Sequence, residues 1–256
     1  MPSVPEESAP GESRVEASAD EMLAAADRIA MALRDDIVTG LLLPGTRLKD
    51  AQLAERFEVS RNTLREAVRQ LVTAGLAVTR RNAGSTVRQV SEADAREIYA
   101  VRRTLELAGV QASSAVQADR LRPVRAAVVS SQRARAEQRW SDVGTASLGF
   151  HRAIVSLNGS ARIDEFFSNN LAQLRLVFAV MSDEAEFQTQ WVDRDAAIAE
   201  HLLGGRRQEA AAALSQYLAD SEALIIDAIR ATASGSPEDG RLSGYSVPSG
   251  VRRRWR

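Results

Sequence analysis

The stretch "VSRNTLREAVRQLVTAGL", residues 59–76, carries three arginines spaced four residues apart. Arg61, Arg65 and Arg69 would share one face of a helix, because an α-helix turns once every 3.6 residues. A guanidinium group on such a face can donate two hydrogen bonds to a guanine edge, or it can pair with a phosphate. The alternative is a charged helix face that is only solvated, which is the usual fate of spaced charges.

The element that positions these arginines is an amphipathic helix predicted over residues 61–74. Ser60 can cap its start and Gly75 can end it. One face is entirely apolar, at spacings typical of a buried helix side: Leu64, Ala67, Val68 and Leu71. Burial of that side turns the polar set outward: Arg61, Asn62, Arg65 and Arg69.

The flanking sequence predicts a winged helix-turn-helix over residues 20–90. A first helix over 21–39 precedes a turn at "LLLPGTRL", and a second helix over 51–57 is capped by Asp50. After the arginine-bearing helix, "LAVTRRNAGSTVRQV" predicts a two-stranded ribbon, the wing, from strands at 76–79 and 85–88. The expected domain therefore has three helices and two strands.

Charge and side-chain chemistry in this region favour a polyanion partner. From Arg47 to Arg88 the chain has nine basic and four acidic residues, about +5, whereas the whole chain carries −1. Ser60, Thr63 and the free amides at the helix start suit phosphate oxygens, and Asn62 suits adenine or phosphate. Basic residues at the wing turn, Arg80 and Arg81, would reach the adjacent backbone or minor groove of double-stranded DNA.

Composition excludes several other classes. The chain has no cysteine, one lysine and two histidines, so thiolate metal sites and cysteine nucleophiles are ruled out. No apolar run is long enough to span a bilayer, and the acidic, proline-containing start does not resemble a signal peptide, so we expect a cytoplasmic protein without a membrane partner. Residues 1–19 and the basic tail 234–256 are expected to be disordered.

Beyond residue 91 the pattern predicts long helices only. They lie near 93–117, 122–138, 141–157, 161–182, 188–203 and 206–232, with no convincing strand period. The fold class is therefore mainly α, with a second, all-helical domain over 91–233.

The segment "LLPGTRLKDAQLAERFEVSRNTLREAVRQLVTAGLAVTRRNAGSTV" closely resembles the DNA-binding domain of the GntR family of bacterial transcription regulators. The resemblance implies DNA contacts by Arg61, Arg65, the helix start Ser60–Thr63 and the wing turn Arg81–Gly84. It also implies a homodimer on a short inverted repeat. One departure is Asn62-Thr63, where many members have Thr-Pro, and we expect it to change a backbone contact only.

The helical half resembles the FadR C-terminal (FCD) subgroup. "EIYAVRRTLELAGVQAS", "GFHRAIVSLNGS" and "AAIAEHLLGGRRQEAAAALSQYL" are similar to three of its segments. Many FCD members hold a divalent metal with an aspartate and three histidines. The matching positions here are Ser147, His151, Asp195 and Tyr217, while His201 falls six residues late.

Only one imidazole is thus kept, so a divalent metal on His151 and Asp195 would be weakly held. Because the chain departs from the family's ligand set in this way, we expect a metal-free polar pocket in which Ser147, His151, Asp195 and Tyr217 hydrogen-bond a small organic acid.

Arg102 leaves two interpretations open. It can form a surface pair with Glu106 one helical turn later, or it can point into the bundle and clamp a carboxylate. Its neighbour Arg103 should face elsewhere.

The sequence thus predicts a ligand-responsive, homodimeric DNA-binding regulator, and most regulators of this type are repressors. Two alternatives remain. One is a ligand-independent DNA-binding dimer. The other is an enzyme with His151 as general base, which the absence of any recognisable nucleophile–base pair disfavours.

Overall fold

The computed structural model describes residues 12–38, 41–115, 117–178 and 184–234. Its N-terminal domain has three helices and three short strands. They are, in order, α1 (Glu12–Val38), β1 (Arg47–Leu48), α2 (Asp50–Arg56), α3 (Arg61–Thr73), β2 (Ala77–Arg80) and β3 (Gly84–Val87).

The core of the N-terminal domain forms where α3 packs on α1. Helix α3 buries the predicted aliphatic residues, Leu64, Ala67, Val68 and Leu71. Helix α1 contributes a matching set spaced four apart, Ile29, Leu33 and Ile37. Because these sets fill the interface, the charged side of α3 faces solvent, as the periodicity predicted.

Helix starts differ in detail from the prediction. Ser60 caps α3, since its Oγ accepts a hydrogen bond from the Thr63 amide at 3.1 Å, which confirms the predicted cap. Asp50, predicted as a cap, is instead the first residue of α2. Lys49 takes the cap position with extended backbone and no capping side-chain bond. Asp50 therefore lies within the first turn, where its negative charge interacts favourably with the helix dipole.

The wing has three strands rather than the predicted two. Strand β1 pairs antiparallel with β3, with Arg47 opposite Thr86, and β3 is the central strand. The cause is the turn before β1. Gly45 has a φ of 85° and its amide bonds the Val87 carbonyl at 2.9 Å, so the chain returns alongside β3.

Helix α1 begins at Glu12, earlier than the predicted start near residue 21. The segment from Glu12 to Ala19 was expected to be disordered, but it contains good helix formers and no proline. The expectations for residues 1–11 and for 235–256 lie outside the described residues.

Six long helices form the C-terminal domain. They are α4 (Glu92–Ala112), α5 (Arg122–Ala136), α6 (Trp140–Ser156), α7 (Ala161–Phe178), α8 (Glu184–Leu203) and α9 (Arg207–Ser234). Helix α4 starts with a capping box between Ser91 and Asp94 and ends at Ala112 rather than 117, where short 3₁₀ turns follow. In the described part of this half no strand occurs, so the predicted mainly-α class is confirmed.

Helix α7 belongs to both cores. Leu174 and Val177 are buried in the C-terminal core, whereas Ala172 and Leu176 are buried in the N-terminal core. Val90, at the predicted domain boundary, also packs against both. Through the described ranges, no helix has the combined length and apolarity needed to cross a membrane.

Candidate functional sites

The exposed face of α3 presents the predicted DNA-contacting side chains. Arg61 and Asn62 are exposed at the first turn. The Arg65 side chain is 66% exposed and bonds Asp50 through Nε at 3.1 Å. Exposed ion pairs contribute little to stability, so this contact can be exchanged for one with DNA.

Arg69 is held more firmly by its own helix. Its Nε and Nη2 both bond the Glu66 carboxylate, at 2.8 and 2.6 Å. The hydrogen bond from Arg69 holds the pKa of Glu66 below its usual value, so Glu66 stays charged. A DNA contact by Arg69 would therefore need this pair to rearrange.

The helix start offers fewer hydroxyl groups than the sequence suggested. Thr63 is buried, and its hydroxyl bonds the Ser60 hydroxyl at 2.8 Å. The Thr63 side chain therefore supports Ser60 instead of facing solvent. Ser60 itself is exposed.

At the wing, Arg81 and Gly84 are exposed, and the turn is set by left-handed backbone at Asn82 and Gly84. Arg47 was not among the predicted contact residues. It donates from Nη2 to the Ala83 carbonyl at 3.2 Å and so adds a third guanidinium beside Arg80 and Arg81. The sequence did not reveal it because strand β1 was not predicted.

Three buried polar side chains in the C-terminal domain are joined in a row by hydrogen bonds. The Nε of Arg102 donates to Glu106 at 2.8 Å, and Nδ1 of His151 lies 2.6 Å from the other Glu106 oxygen. All three side chains are almost completely inaccessible. Both interpretations of Arg102 are thus partly met, because it pairs with Glu106 and also points into the bundle. Arg103 faces away and pairs with Glu222.

The other predicted pocket residues surround these three side chains. The ring centroids of His151 and Tyr217 are 4.8 Å apart, and the Ser147 hydroxyl lies 3.4 Å from the Tyr217 hydroxyl. The nearest Asp195 oxygen is 3.7 Å from Nε2 of His151. The structure therefore brings together all five residues predicted from the sequence. His201 lies apart, where it accepts a hydrogen bond from Arg206.

Protonation states follow from burial and from the Glu106 charge. Burial raises the pKa of Glu106, but Arg102 and His151 outweigh it and hold that pKa below its usual value. Burial lowers the pKa of His151, so its ring is neutral, with Nδ1 donating to Glu106 and a lone pair on Nε2. Burial raises the pKa of Asp195 to about 8, so this carboxyl group is protonated at neutral pH.

Several buried polar atoms in this region lack a hydrogen-bond partner among the described residues. They are Nη2 of Arg102, Nε2 of His151, Nε2 of Gln188, Nε1 of Trp191 and both carboxyl oxygens of Asp195. Gln188 and Trp191, on α8, were missed by the sequence reasoning because an amide and an indole carry no distinctive spacing. An unpaired buried polar group costs about 1–3 kcal/mol, so such a cluster points to a ligand site.

The cavity at the centre of this cluster is small. It is lined by Arg102, Ser147, His151, Gln188 and Trp191 together with Tyr217, Ser221 and the apolar side chains Leu148, Leu174, Phe178 and Phe187. Its volume is ≈ 10 Å³, the space of about one water molecule. An organic ligand can therefore enter only if side chains move.

The residues present do not fit a divalent metal. Glu106 occupies Nδ1 of His151, so only Nε2 of that ring and the Asp195 carboxyl group, 3.7 Å apart, could face one ion. Two protein ligands are too few to hold a divalent ion stably. Across the described ranges no cluster of three histidine, aspartate or glutamate side chains could hold a metal. Arg102, beside Glu106, already supplies the positive charge at this site.

Helix α7 connects the neighbourhood of this cavity to the N-terminal domain. Arg175 donates from Nε to the Val38 carbonyl at the end of α1, at 3.1 Å. Gln173 approaches the Ala74 carbonyl at the end of α3, at 3.4 Å. Arg34 of α1 donates in the other direction, at 3.0 Å in each case, to Asn169 and Ser168. Val38 and Ala74 lie at helix ends, where carbonyl groups lack partners within their own helix, so these two are natural acceptors.

A basic helix and wing joined to an all-helical bundle define the class of two-domain transcription regulators, not a class of enzymes. Residues 25–87 match the family described as bacterial regulatory proteins, gntR family, and residues 97–220 match the FCD domain. A putative transcriptional regulator GntR from Rhodococcus sp. RHA1 is 36% identical, with a TM-score of 0.75 over 80% of this chain and 98% of that one. The chain belongs to the GntR family, with an FCD domain.

Two curated relatives show the extent of similarity in sequence. The HTH-type transcriptional repressor RspR of Escherichia coli (strain K12) is 41% identical over 76 residues, 30% of this chain and 33% of that protein. The chain thus matches about a third of the length of this relative, all within a single stretch. The gluconate operon transcriptional repressor of Bacillus licheniformis is 28% identical over 178 residues, 69% of this chain and 72% of that protein.

Proposed function

We propose that this protein is a cytoplasmic, ligand-responsive repressor that binds a short inverted-repeat operator as a homodimer. The observation that carries the proposal is the exposed α3 face, where Arg61, Asn62 and Arg65 project from a helix whose other side is fully buried. A helix of this width fits the major groove, and the wing arginines then lie towards the neighbouring backbone. Two relatives are named repressors, which supports that sign of regulation.

The test is to capture DNA fragments from the source genome with the purified protein and to sequence them. We expect one enriched motif with two symmetric half-sites, because a two-fold dimer presents two equal recognition helices. Enrichment of sequences that share no motif would reject operator recognition. The genes beside the captured sites would also suggest which metabolite is sensed.

The buried cluster around Arg102 is the proposed effector site, and a small organic acid is the proposed effector. The guanidinium is rigidly held by Glu106, yet its Nη2 remains available to a ligand oxygen. A carboxylate is the group that such a donor binds best. Tyr217, Ser147 and His151 lie beside it and would orient the remainder of the ligand.

Helix α7 is the proposed path from effector to DNA. Phe178 lines the cavity, while Leu176, two residues earlier, is buried in the N-terminal core. A ligand that displaces Phe178 would move α7 and, through Arg175 and Gln173, the ends of α1 and α3. The ligand can change DNA affinity only to the extent that it binds the two arrangements of α7 unequally.

The proposed dimer interface is the surface groove between α4 and α7. This surface is apolar, with Val101, Leu105 and Ile163 in the groove and Phe166 standing 56% exposed beside it. A two-fold axis would place each Phe166 in the other copy's groove, which is a self-complementary arrangement. Phe166→Asp should then give a monomer in analytical ultracentrifugation. An unchanged dimer would show that the interface is a different surface.

One observation favours a second candidate, a ligand-independent DNA-binding dimer. The cavity holds only about one water molecule, so the bundle is closed as it stands. The two candidates differ in one measurement. A ligand-responsive regulator changes both its melting temperature and its operator affinity with some small molecule, and a purely architectural protein changes neither.

A further inference from the structure

The last helix of the C-terminal domain ends at the boundary with the winged domain. The Tyr99 hydroxyl of α4 is hydrogen-bonded to Ser221 of α9. Further along α9, Arg230 donates to Glu92 in the first turn of α4, at 3.0 Å through Nε and 2.9 Å through Nη2. The two helices therefore run antiparallel, and the end of α9 at Ser234 lies beside the start of α4.

The start of α4 is in turn held close to the wing. Asp94 completes the α4 cap with Ser91 and also pairs with Arg88, the residue that follows β3. From Gly84 at the wing turn to Glu92 the chain takes eight steps, so these two residues lie at most about 29 Å apart. The chain thus leaves α9 next to the domain that carries α3 and the wing.

The sequence that follows α9 is strongly basic at its far end. The segment "VRRRWR", residues 251–256, carries four arginines: Arg252, Arg253, Arg254 and Arg256. Eighteen steps of chain join Ser234 to the first of them, which permits a separation of up to about 60 Å. That is about twice the largest possible distance between the start of α4 and the wing turn. The arginines can therefore reach DNA that lies against the wing.

DNA is the polyanion that this placement favours. The duplex carries one negative charge for about every 1.7 Å of its length, which suits a run of adjacent guanidinium groups. The wing already presents exposed arginines to the same region, at Arg47, Arg80 and Arg81. An anionic membrane also attracts arginines beside a tryptophan such as Trp255, but the described ranges place the end of α9 beside the DNA-binding domain.

We propose that residues 251–256 are a second DNA-contact element, which binds phosphates flanking the sequence that α3 and the wing contact. Phosphate contacts carry no sequence information, so this element raises the affinity for every duplex by a similar factor. The inference rests on DNA binding by the winged domain and is independent of the buried cavity and its ligand.

The experiment measures how the dissociation constant depends on salt. A variant of the full chain replaces all four arginines by glutamine: Arg252→Gln, Arg253→Gln, Arg254→Gln and Arg256→Gln. Each lost phosphate contact lowers the slope of log Kd against log salt by about 0.9, and we expect a decrease of at least about 2. The advantage of the wild type should then shrink more than about tenfold between roughly 50 and roughly 200 mM salt. Fluorescence anisotropy with a captured operator and with an unrelated duplex measures both slopes.

Two control variants separate local contacts from net charge. The first replaces the same four arginines by lysine, which keeps the charge and should keep the wild-type slope. The second removes four exposed arginines from α5 and from the turn before α9: Arg122→Gln, Arg125→Gln, Arg133→Gln and Arg206→Gln. It changes the net charge equally, but we expect a much smaller change of slope, because solvent ions screen distant charges.

Several outcomes would overturn the proposal. An unchanged slope in the glutamine variant, or an equal change in the α5 control, would show that residues 251–256 contact no phosphate. A lysine variant that behaves like the glutamine variant would exclude binding by charge. Tighter DNA binding by the glutamine variant would show that the segment competes with DNA. Arginine-dependent sedimentation with phosphatidylserine vesicles, together with an unchanged DNA slope, would assign the segment to a membrane surface.

Failure of this inference is separable from failure of the proposed function. A wild type that enriches one operator, with the same slope as the glutamine variant, refutes only the second contact element. A wild type that enriches no motif refutes operator recognition, and the slope on the unrelated duplex still tests residues 251–256. Equal melting temperatures of the wild type and the variants show that the compared proteins are folded.

Discussion

Arg175, near the end of α7, donates a hydrogen bond across the domain boundary to the carbonyl of Val38, the last residue of α1, at 3.1 Å. The same guanidinium bonds the carbonyl and hydroxyl groups of Ser141 at the start of α6 through Nη2. One side chain thus connects three helices from two domains. This connection gives α7 a direct mechanical contact with the helix that supports α3.

Arg175→Gln should destabilise the protein by about 1–3 kcal/mol, because the carbonyl groups of Val38 and Ser141 lose a charged donor whose own side chain is buried. Chemical denaturation measures this free energy of unfolding. The matched control is Arg96→Gln, whose side chain is half exposed and pairs only along its own helix. An equal, small loss in both variants would show that the Val38 contact contributes nothing.

Arg65→Ala should weaken specific operator binding by about 1–3 kcal/mol without unfolding the protein. The reason is that its guanidinium is exposed on the predicted groove face and is engaged elsewhere only through an exposed pair with Asp50. Fluorescence anisotropy with a captured operator measures the change. Arg133→Ala serves as the control, since it removes an equally exposed charge from α5. Unchanged affinity in Arg65→Ala would reject the groove assignment.

Glu106→Gln should destabilise the protein by about 3–5 kcal/mol, because it leaves the Arg102 charge buried without a counter-charge. The double variant Arg102→Met, Glu106→Gln removes both charges and should recover much of that loss. Thermal or urea unfolding measures both variants. Arg103→Gln, which breaks a half-exposed pair with Glu222, should cost far less. A double variant no more stable than the single one would argue against a buried ion pair.

The stability of the wild type relative to Asp195→Asn should fall as the pH rises towards 8. Burial raises the pKa of Asp195 to about 8, so between its unfolded pKa near 3.8 and this value the folded chain holds a proton that the unfolded chain releases. Stability then decreases with pH in this window. The groups around it are Arg102, Glu106, Ser147, His151 and Tyr217. Urea unfolding at pH 5, 6, 7 and 8 measures the difference, and parallel curves for the two proteins would contradict it.

Purified protein should carry less than one equivalent of transition metal per chain after dialysis. The physical reason is that Glu106 occupies Nδ1 of His151, which leaves only Nε2 and the Asp195 carboxyl group to face an ion, and two protein ligands bind a divalent metal weakly. Elemental analysis provides the measurement, and a melting temperature unaffected by a chelator is the companion result. A full equivalent that survives dialysis would show that the ligand set is different.

The sequence predicted the α3 face well because that face depends on local periodicity. Leu64 is buried and its neighbour Arg65 is exposed, and the aliphatic spacing alone predicts that difference. Strand β1 escaped prediction because a two-residue strand has no period, and its existence depends on the Gly45 turn meeting Val87. The added wing arginine, Arg47, was missed for the same reason.

The buried site was only partly predictable. Family resemblance selected His151 and Asp195, and the structure brings them within 3.7 Å. One of the two interpretations of Arg102 made Glu106 only its partner on the same helix, because i, i+4 pairs are common on exposed helices. Its burial depends on His151, which is 45 residues away in the chain and contacts it only after α4 and α6 have packed.

Ala172 and Leu176 complete the interior of the winged domain, although they lie more than eighty residues beyond its last strand. A chain truncated after residue 90 would therefore expose the apolar surface that α7 covers in the full chain. Such a fragment should aggregate or melt early, even though every motif that reads DNA is still present. In this chain, the segment that carries the DNA-binding motifs is therefore shorter than the segment that is needed to complete its core.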